Sequence, residues 1–423
     1  MSIYEHKFDI SHRPEYNTRM EKRQAFKFEL MPNGEQQRLM RRFAGSVRYI
    51  YNKALALQKE MYDLTKRSHT RFQLDKLLTL WKSETPWLSD TPSHALQQSL
   101  VDMDRAYQNF FKKRADFPKF HKKGQRTSYR ESDPKCITLD QVNSRIRLPK
   151  IGWVRYRNSR DVLGQIRNAT VSESCGKWFV SVSTLQEIKV PEHPSKSSIG
   201  LDWGVVNFIT ASDGLVVDQC QPLKQFLPKL AKLQRRLAKK KKFSQNWKKA
   251  KARITKLHSK IANIRKDFVH KVSADISKNH AVVFVEDLQV SNMSKSSKGT
   301  KDKPGKKVAQ KSGLNRSILD ASPFELRRQL EYKMLWNGGI LIAVPPQNTS
   351  RKCPECKHTS KDNRKTQAKF VCVKCGWSGN ADFVGAFNIK EAGLAFLACS
   401  SSSPEVRASC QEPTEATLVQ SCT

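Results

Sequence analysis

Residues 199–214 read IGLDWGVVNFITASDG, and this stretch decides the fold of the C-terminal half. Ile199–Asp202 is a short apolar run that closes on an acid, and Phe208–Ala211 is a second apolar run. Gly204 lies between them and Asp213-Gly214 follows, so the spacing predicts a strand pair with turn chemistry at both ends. Val282–Val285 (VVFV) repeats the device, a β-branched run closing on Glu286-Asp287. A third acid, Asp382, opens a short helix predicted over Asp382–Lys390. Between the first two acids, Leu230, Leu233 and Leu237, then Ile254, Leu257, Ile261, Ile264, Phe268 and Val272, recur three and four apart. That is the stripe of half-buried helices. Phe324–Trp336 is predicted helical and Ile340–Val344 extended, and the Ser-, Lys- and Gly-rich stretch 291–312 is expected to be a mobile loop.

The first half reads differently. Gln24–Leu30 (QAFKFEL) alternates apolar and polar residues as a strand does, up to Pro32. Asn33 then caps a helix, with Gln36 in the reciprocal position of a capping box. Leu39, Phe43, Val47 and Ile50 form its buried stripe, and Arg41, Arg42 and Arg48 fall mainly off it. A further helix over Ser93–Lys113 carries Leu96, Leu100, Met103, Tyr107 and Phe110 on one face. Strands return at Arg145–Leu148, Trp153–Tyr156 and Trp178–Ser183, and 190–198 (VPEHPSKSS) is a linker by composition. The chain is therefore α+β and multidomain: a β-rich module with a helical insertion, then a second α+β body.

Lys and Arg number 77 against 39 Asp and Glu, a formal net charge of +38. Such an excess repels itself unless an anion lies against it, and the regular phosphates of nucleic acid fit best. No apolar run is long enough to span a bilayer and no signal-peptide pattern opens the chain, so the expectation is a soluble, cytoplasmic protein without a membrane partner. The basic segment 117–130 (FPKFHKKGQRTSYR) interleaves aromatics with Lys119, Lys122, Lys123 and Arg126, which suits a groove that holds phosphates and stacks bases. Lys239, Lys240 and Lys241 are a second candidate contact.

Four of the ten cysteines form the pattern C-x2-C-x15-C-x2-C: Cys353, Cys356, Cys372 and Cys375. Two such turns complete a tetrahedral four-thiolate shell for one structural Zn²⁺, with Gly376 easing the second turn and His358 surplus. The three acids carry a different chemistry. Singly, each has a plainer reading: Asp202 as a turn residue, Glu286 as the end of a buried strand, Asp382 as a helix cap. Together, in a strongly basic chain with a zinc motif between the second and third, they point to phosphodiester hydrolysis with a pair of Mg²⁺ ions.

Several ordered blocks then carry a resemblance. They are AFKFELMPNGEQQ and SVRYIYNKALA, then WLSDTPSHALQQSLVDMDRAYQNFFKKRADFPKFHKKG, IGLDWGVVNFIT, VFVEDLQVSNM, SILDASPFELRRQLEYKMLWNGG, the CPEC/CVKC pair and NADFVGAFNIK. From about Gln24 to Lys390 the chain resembles the TnpB (OrfB) family of insertion-sequence proteins, relatives of the compact type V CRISPR effectors. The resemblance implies a wedge β-barrel domain (21–40 and 115–195) interrupted by a helical recognition domain (41–114). A RuvC-like nuclease of RNase H type (196–346 and 379–395) then follows, with a zinc-binding insertion (347–378). Residues 1–20 are expected to be a polar extension and 396–423 a disordered tail.

The resemblance further implies that Asp202, Glu286 and Asp382 are the catalytic, Mg²⁺-holding acids. The partners it implies are a guide RNA made from the transposon end and a double-stranded DNA target beside a short motif, for which Gln97 is a candidate reader; oligomeric state is left open. Ala381, Gly385 and Phe387 depart from the family's usual Arg, Asn and Ala near the last acid, which implies reduced or altered activity. The implied function is an RNA-guided DNA endonuclease. A nuclease-silent guided repressor is the alternative, and a zinc-dependent transposase or RNA-binding accessory protein is a third reading.

Overall fold

The computed structural model describes residues 19–125, 127–300 and 302–401, and these divide into two compact units, one within Asn17–Lys189 and one from Val190 onward. In the N-terminal unit β1 (Arg19–Met31) leads into α1 (Gly34–Thr65), α2 (Arg71–Glu84) and α3 (Ser93–Phe111). The capping box is formed as its sequence predicts: Asn33 Oδ1 accepts from the Gln36 amide at 2.8 Å and Gln36 Oε1 from the Asn33 amide at 3.1 Å. Six strands follow: β2 (Thr127–Glu131), β3 (Thr138–Asp140), β4 (Arg145–Leu148), β5 (Gly152–Tyr156), β6 (Gln165–Ser174) and β7 (Lys177–Lys189).

These strands and β1 form one antiparallel sheet in the order β2-β6-β7-β1-β5-β4-β3. Alternation sends Phe26, Phe28 and Leu30 of β1 into a core shared with Tyr129 of β2 and Ile146 of β4. Residues near both ends of the order thus reach one core, so the sheet curls. β2 and β3 are the edge strands of this order among the described residues. The helices bury a second core, with Ile50, Leu55, Leu74, Leu78, Trp81, Leu96 and Leu100 packed together. Each fully buried leucine contributes roughly 2 kcal/mol through apolar area removed from water.

The C-terminal unit is built on β8 (Ser198–Trp203), β9 (Asn207–Ala211), β10 (Val216–Asp218), β11 (Val282–Glu286) and β12 (Ile340–Val344). The sheet order is β10-β9-β8-β11-β12; the first three are antiparallel, whereas β11 runs parallel to both β8 and β12. Helices α4 (Pro222–Ala238) and α5 (Gln245–Asn279) form a hairpin, followed by α6 (Val290–Met293), α7 (Val308–Ala321) and α8 (Pro323–Trp336). The short strands β13 (Lys369–Val371) and β14 (Ser378–Asn380) lead to α9 (Ala381–Ser401).

Two expectations are corrected. The stretch 291–312 is not one structureless loop, since α6 reaches into its start and α7 begins at Val308. The last helix does not stop at Lys390 but continues to Ser401, six residues into the expected tail; residues 402–423 lie outside the described residues. No helix among the described residues is long and apolar enough to cross a membrane.

The period of two along the central strands decides what each face carries. Ile199 and Leu201 of β8 and Val283 of β11 pack with Val269 and Ile276 of α5 and Leu326, Leu330 and Met334 of α8. Phe284 of β11 instead packs with Ile342, Val344 and Ile389 of α9. The sheet is thus covered by α5 and α8 on one face and α9 on the other. Gly200 makes the second contact possible: a Cβ there would overlap the Ala386 carbonyl oxygen and come within 2.7 Å of the Lys390 nitrogen.

Candidate active site

The same alternation places the first two acids. Asp202 is two residues on from Gly200, and Glu286 two on from Phe284, so both project to the α9 face. Leu201 and Val285 are register partners in the parallel β8–β11 pair, which puts Asp202 and Glu286 next to each other at adjacent strand ends. Asp382 enters from the first turn of α9, where Asn380 Oδ1 accepts from the Asp382 amide at 2.8 Å. The structure therefore brings together the three acids singled out in the sequence.

Their electrostatics are those of a crowded anionic site. Burial, then repulsion from Glu286 and Asp382, pushes the Asp202 carboxyl up to about 8, with Arg364 opposing. Burial also raises Glu286, against a hydrogen bond from Thr349 and the charge of Arg364. Two groups not singled out in the sequence hold the acids in place. Thr349 donates to Glu286 Oε1 at 2.6 Å, and Arg364 Nη2 pairs with Asp382 Oδ1 at 3.0 Å. Asn388 of α9 donates to the carbonyls of Thr349 and Lys352 at 2.7 and 2.8 Å, tying the helix to that segment. Arg364 and Thr349 lie in irregular chain without periodicity, so no pattern in the sequence marks them.

The residues fit a hard divalent cation. Three carboxylates face one another, one of them holding a proton far above the ordinary carboxylate range through burial first and the other two charges second, and bound cations relieve both costs. The three acids do not offer one oxygen each within 4.8 Å of one another, as the cysteines below offer their sulfurs. Space over Asp202 depends on Gly385, where a Cβ would stand 2.7 Å from Asp202 Oδ2. Gly385→Ala is accordingly expected to displace that carboxylate and lower phosphodiester cleavage about tenfold or more, while thermal melting stays within a few degrees. Single-turnover cleavage and a melting curve check both halves.

At the end of β11, on the α8 face of the sheet and so opposite the acids, opens a cleft of about 510 Å³ lined by Leu201, Trp203, Leu288, Phe324, Arg327 and Arg328 among others. Phe324 is 67 % exposed at its rim, and Arg327 is paired with Asp287 and Glu331.

The four cysteines meet as their spacing predicts. Their sulfurs all lie within 4.8 Å of one another, with Cys356–Cys372 at 3.5 Å and Cys353–Cys375 at 3.7 Å. A tetrahedral zinc shell with bonds of about 2.3 Å spaces its sulfurs about 3.8 Å apart, so the cluster fits a zinc ribbon. Each C-x-x-C ends in the same turn: the Lys357 amide donates to the Cys353 carbonyl at 3.1 Å and the Gly376 amide to that of Cys372 at 3.0 Å. Both residues have positive φ, 59° and 73°. The knuckle packs on the start of α9, because Phe370, Cys353 and Cys372 share a core with Ala381 and Val384. It therefore positions Asp382 without contributing a carboxylate.

The nucleic-acid candidates are spread over both units. Gln97 is exposed on α3. Lys119 is paired with Asp116 at 3.1 Å, and Lys122 and Lys123 are exposed in the loop before β2. Phe117 and Phe120 of that segment are 39 and 45 % exposed, with Lys59 over both rings. Arg126 lies outside the described residues. Lys239, Lys240 and Lys241 are exposed in the turn between α4 and α5, which breaks the long helical stretch into a hairpin.

Comparison with known proteins adds three family matches: "Probable transposase" over residues 169–297, "Cas12f1-like, TNB domain" over 324–389 and "Helix-turn-helix domain" over 20–67. The chain is 53 % identical over 398 residues to a protein of Escherichia coli K12 named "Putative RNA-guided DNA endonuclease InsQ". That match covers 94 % of this chain and 98 % of the relative. A "Putative RNA-guided DNA endonuclease" of Streptomyces pristinaespiralis is 31 % identical over 384 residues, covering 89 % and 91 %. Among solved structures, a Cas12f1–sgRNA–target DNA complex matches with a TM-score of 0.53 at 13 % identity, covering 88 % of this chain and 99 % of that one. At that identity the likeness is one of fold.

Proposed function

This chain belongs to the TnpB-like OrfB family of IS605-type elements, related to the type V effectors, and on that footing we propose that it is an RNA-guided DNA endonuclease cutting at Asp202, Glu286 and Asp382. The observation that carries the proposal is the convergence of those three acids on the α9 face, with Asp202 raised to about 8 by burial and by the other two. The strand order of the C-terminal unit, three antiparallel strands followed by two parallel ones, supports a RuvC-like nuclease of RNase H type. Two Mg²⁺ ions bound there would supply activation of water and stabilisation of the leaving oxygen. The protein's own part is positional. Thr349 fixes Glu286, Arg364 and Asn380 fix Asp382, and Gly385 leaves Asp202 room. One Zn²⁺ on the four cysteines holds the start of α9.

The partners of this reading are a guide RNA made from the transposon end and a double-stranded DNA target. Base pairing selects the target, while protein holds backbones and a short adjacent motif. Gln97 is the proposed motif reader, and Lys119, Lys122, Lys123, Arg126 and Lys239–Lys241 contact phosphates. The N-terminal unit supplies wedge and recognition domains, and the protein acts in the cytoplasm on DNA. Replacing Lys239, Lys240 and Lys241 together by Ala is expected to weaken nucleic-acid binding and flatten its dependence on salt. The slope of log K against log[salt] should fall by about two to three. An unchanged slope would remove these lysines from the contact.

A nuclease-silent guided repressor is the second reading; the departures at Ala381, Gly385 and Phe387 point to reduced or altered activity, not to its loss, and the three intact acids favour the enzyme. The deciding experiment co-expresses the protein with its flanking transposon-end RNA and presents a plasmid library. Mg²⁺-dependent cutting confined to guide-matched sites supports the nuclease. Guide-matched binding without cutting moves the function to the repressor, and neither binding nor cutting rejects both.

A further inference from the structure

The N-terminal unit carries a cluster that the nuclease reading does not use. His94 is the second residue of α3, Glu131 ends β2, and Asp133 and Cys136 flank the short turn after it. One ligand atom each from His94, Asp133 and Cys136 lies within 4.8 Å of the others, the only set besides the four cysteines to do so among the described residues. His94 Nδ1 stands 3.1 Å from Glu131 Oε1. Asp133 uses Oδ1 to accept from the Lys135 amide at 3.0 Å, which leaves Oδ2 facing Cys136 Sγ at 3.4 Å. Glu131 is the independent observation. It is 1 % exposed, and while Oε1 also accepts from the Asp133 amide at 3.2 Å, Oε2 is buried without a partner. A carboxylate oxygen withdrawn from water with nothing to accept from costs on the order of 1–3 kcal/mol, more if charged.

We propose that His94, Asp133 and Cys136, with the buried Glu131 against the His94 ring, form a second transition-metal site of the zinc class, clipping the start of α3 to the end of β2. The donor set is an imidazole nitrogen, a thiolate and carboxylate oxygens, a mixture that suits Zn²⁺ and is too soft for Mg²⁺. All its protein ligands come from the N-terminal unit, so the site stands whether or not the C-terminal unit cuts DNA. It is structural, because it joins a helix to a strand end, and it fixes the helix that bears Gln97.

Zinc content of the full-length protein tests it, measured by elemental analysis after purification with Zn²⁺ and exhaustive dialysis. The His94→Ala/Cys136→Ser double variant should hold one zinc per chain fewer than the wild type. A double variant with the same zinc content as the wild type overturns the proposal. Cobalt titration covers the case in which the double variant fails to fold. In a variant with Cys353, Cys356, Cys372 and Cys375 all changed to Ser, which leaves this site intact, Co²⁺ should still produce a sulfur-to-cobalt absorption band. That band should vanish when Cys136→Ala is added; a band that persists, or no band before Cys136 is changed, overturns the assignment.

Discussion

Asp202→Asn is expected to lower DNA cleavage by at least about a thousandfold, equivalent to ~4 kcal/mol of lost transition-state stabilisation, and to make the metal-free protein more stable. The second effect follows from the raised carboxyl. In the folded, metal-free protein Asp202 keeps its proton up to about pH 8, whereas the unfolded chain releases it near the ordinary value of about 4. Between those limits the folded state binds the extra proton, so stability is full at the acidic end and is lost as pH rises through the window. Asparagine has no proton to lose. Its advantage should be absent near pH 4 and reach on the order of 2 kcal/mol, several degrees of melting temperature, by pH 8. With saturating Mg²⁺ the order should reverse, since the wild type gains more from binding. Melting curves across pH, with and without Mg²⁺, read all of this. A variant that is no more stable than wild type at pH 8 without metal would contradict the burial of Asp202 beside the other two acids.

The second large effect belongs to Cys372→Ser. Cys372 is buried in the core that joins the knuckle to Ala381 and Val384, so loss of its thiolate removes a zinc ligand and loosens the start of α9 together. The expected outcome is one zinc fewer per chain and a loss of about 3 kcal/mol or more from the C-terminal unit. Cleavage should fall at least about tenfold, because Asp382 and its partner Arg364 ride on that segment. Calorimetry and elemental analysis check it. Normal melting with undiminished zinc would refute the structural role of the knuckle.

Both predictions rest on residues that were legible in the sequence because strong local patterns mark them. The apolar runs at Ile199 and Val282 end on acids, and strand alternation is enough to send those acids to one face. The cysteine spacing defines a cluster before any coordinates are known. Elsewhere the signals are weak for identifiable reasons. Strand β6 (QIRNATVSES) buries Ala169 and Val171 among polar residues and is interrupted by a bulge between Ile166 and Asn168, so no clean alternation survives. The end of α9 (GLAFLACSS) is apolar around much of its circumference, so it offers no stripe to read as a helix. Arg364 sits between the two cysteine pairs in chain that has no period at all. The order of strands in the N-terminal sheet belongs to the same class: pairing between distant strands is set by packing, which local sequence does not encode.

The central claim is that the three acids form one cutting site, and Glu286→Gln tests it most directly. The substitution keeps the size and the hydrogen bond from Thr349 while removing the charge. The measurement is single-turnover cleavage of guide-matched plasmid by wild type and variant loaded with the same RNA, with DNA binding measured on the same samples. The prediction is cleavage at background in the variant with guide-matched binding retained. Undiminished cutting by Glu286→Gln would contradict it.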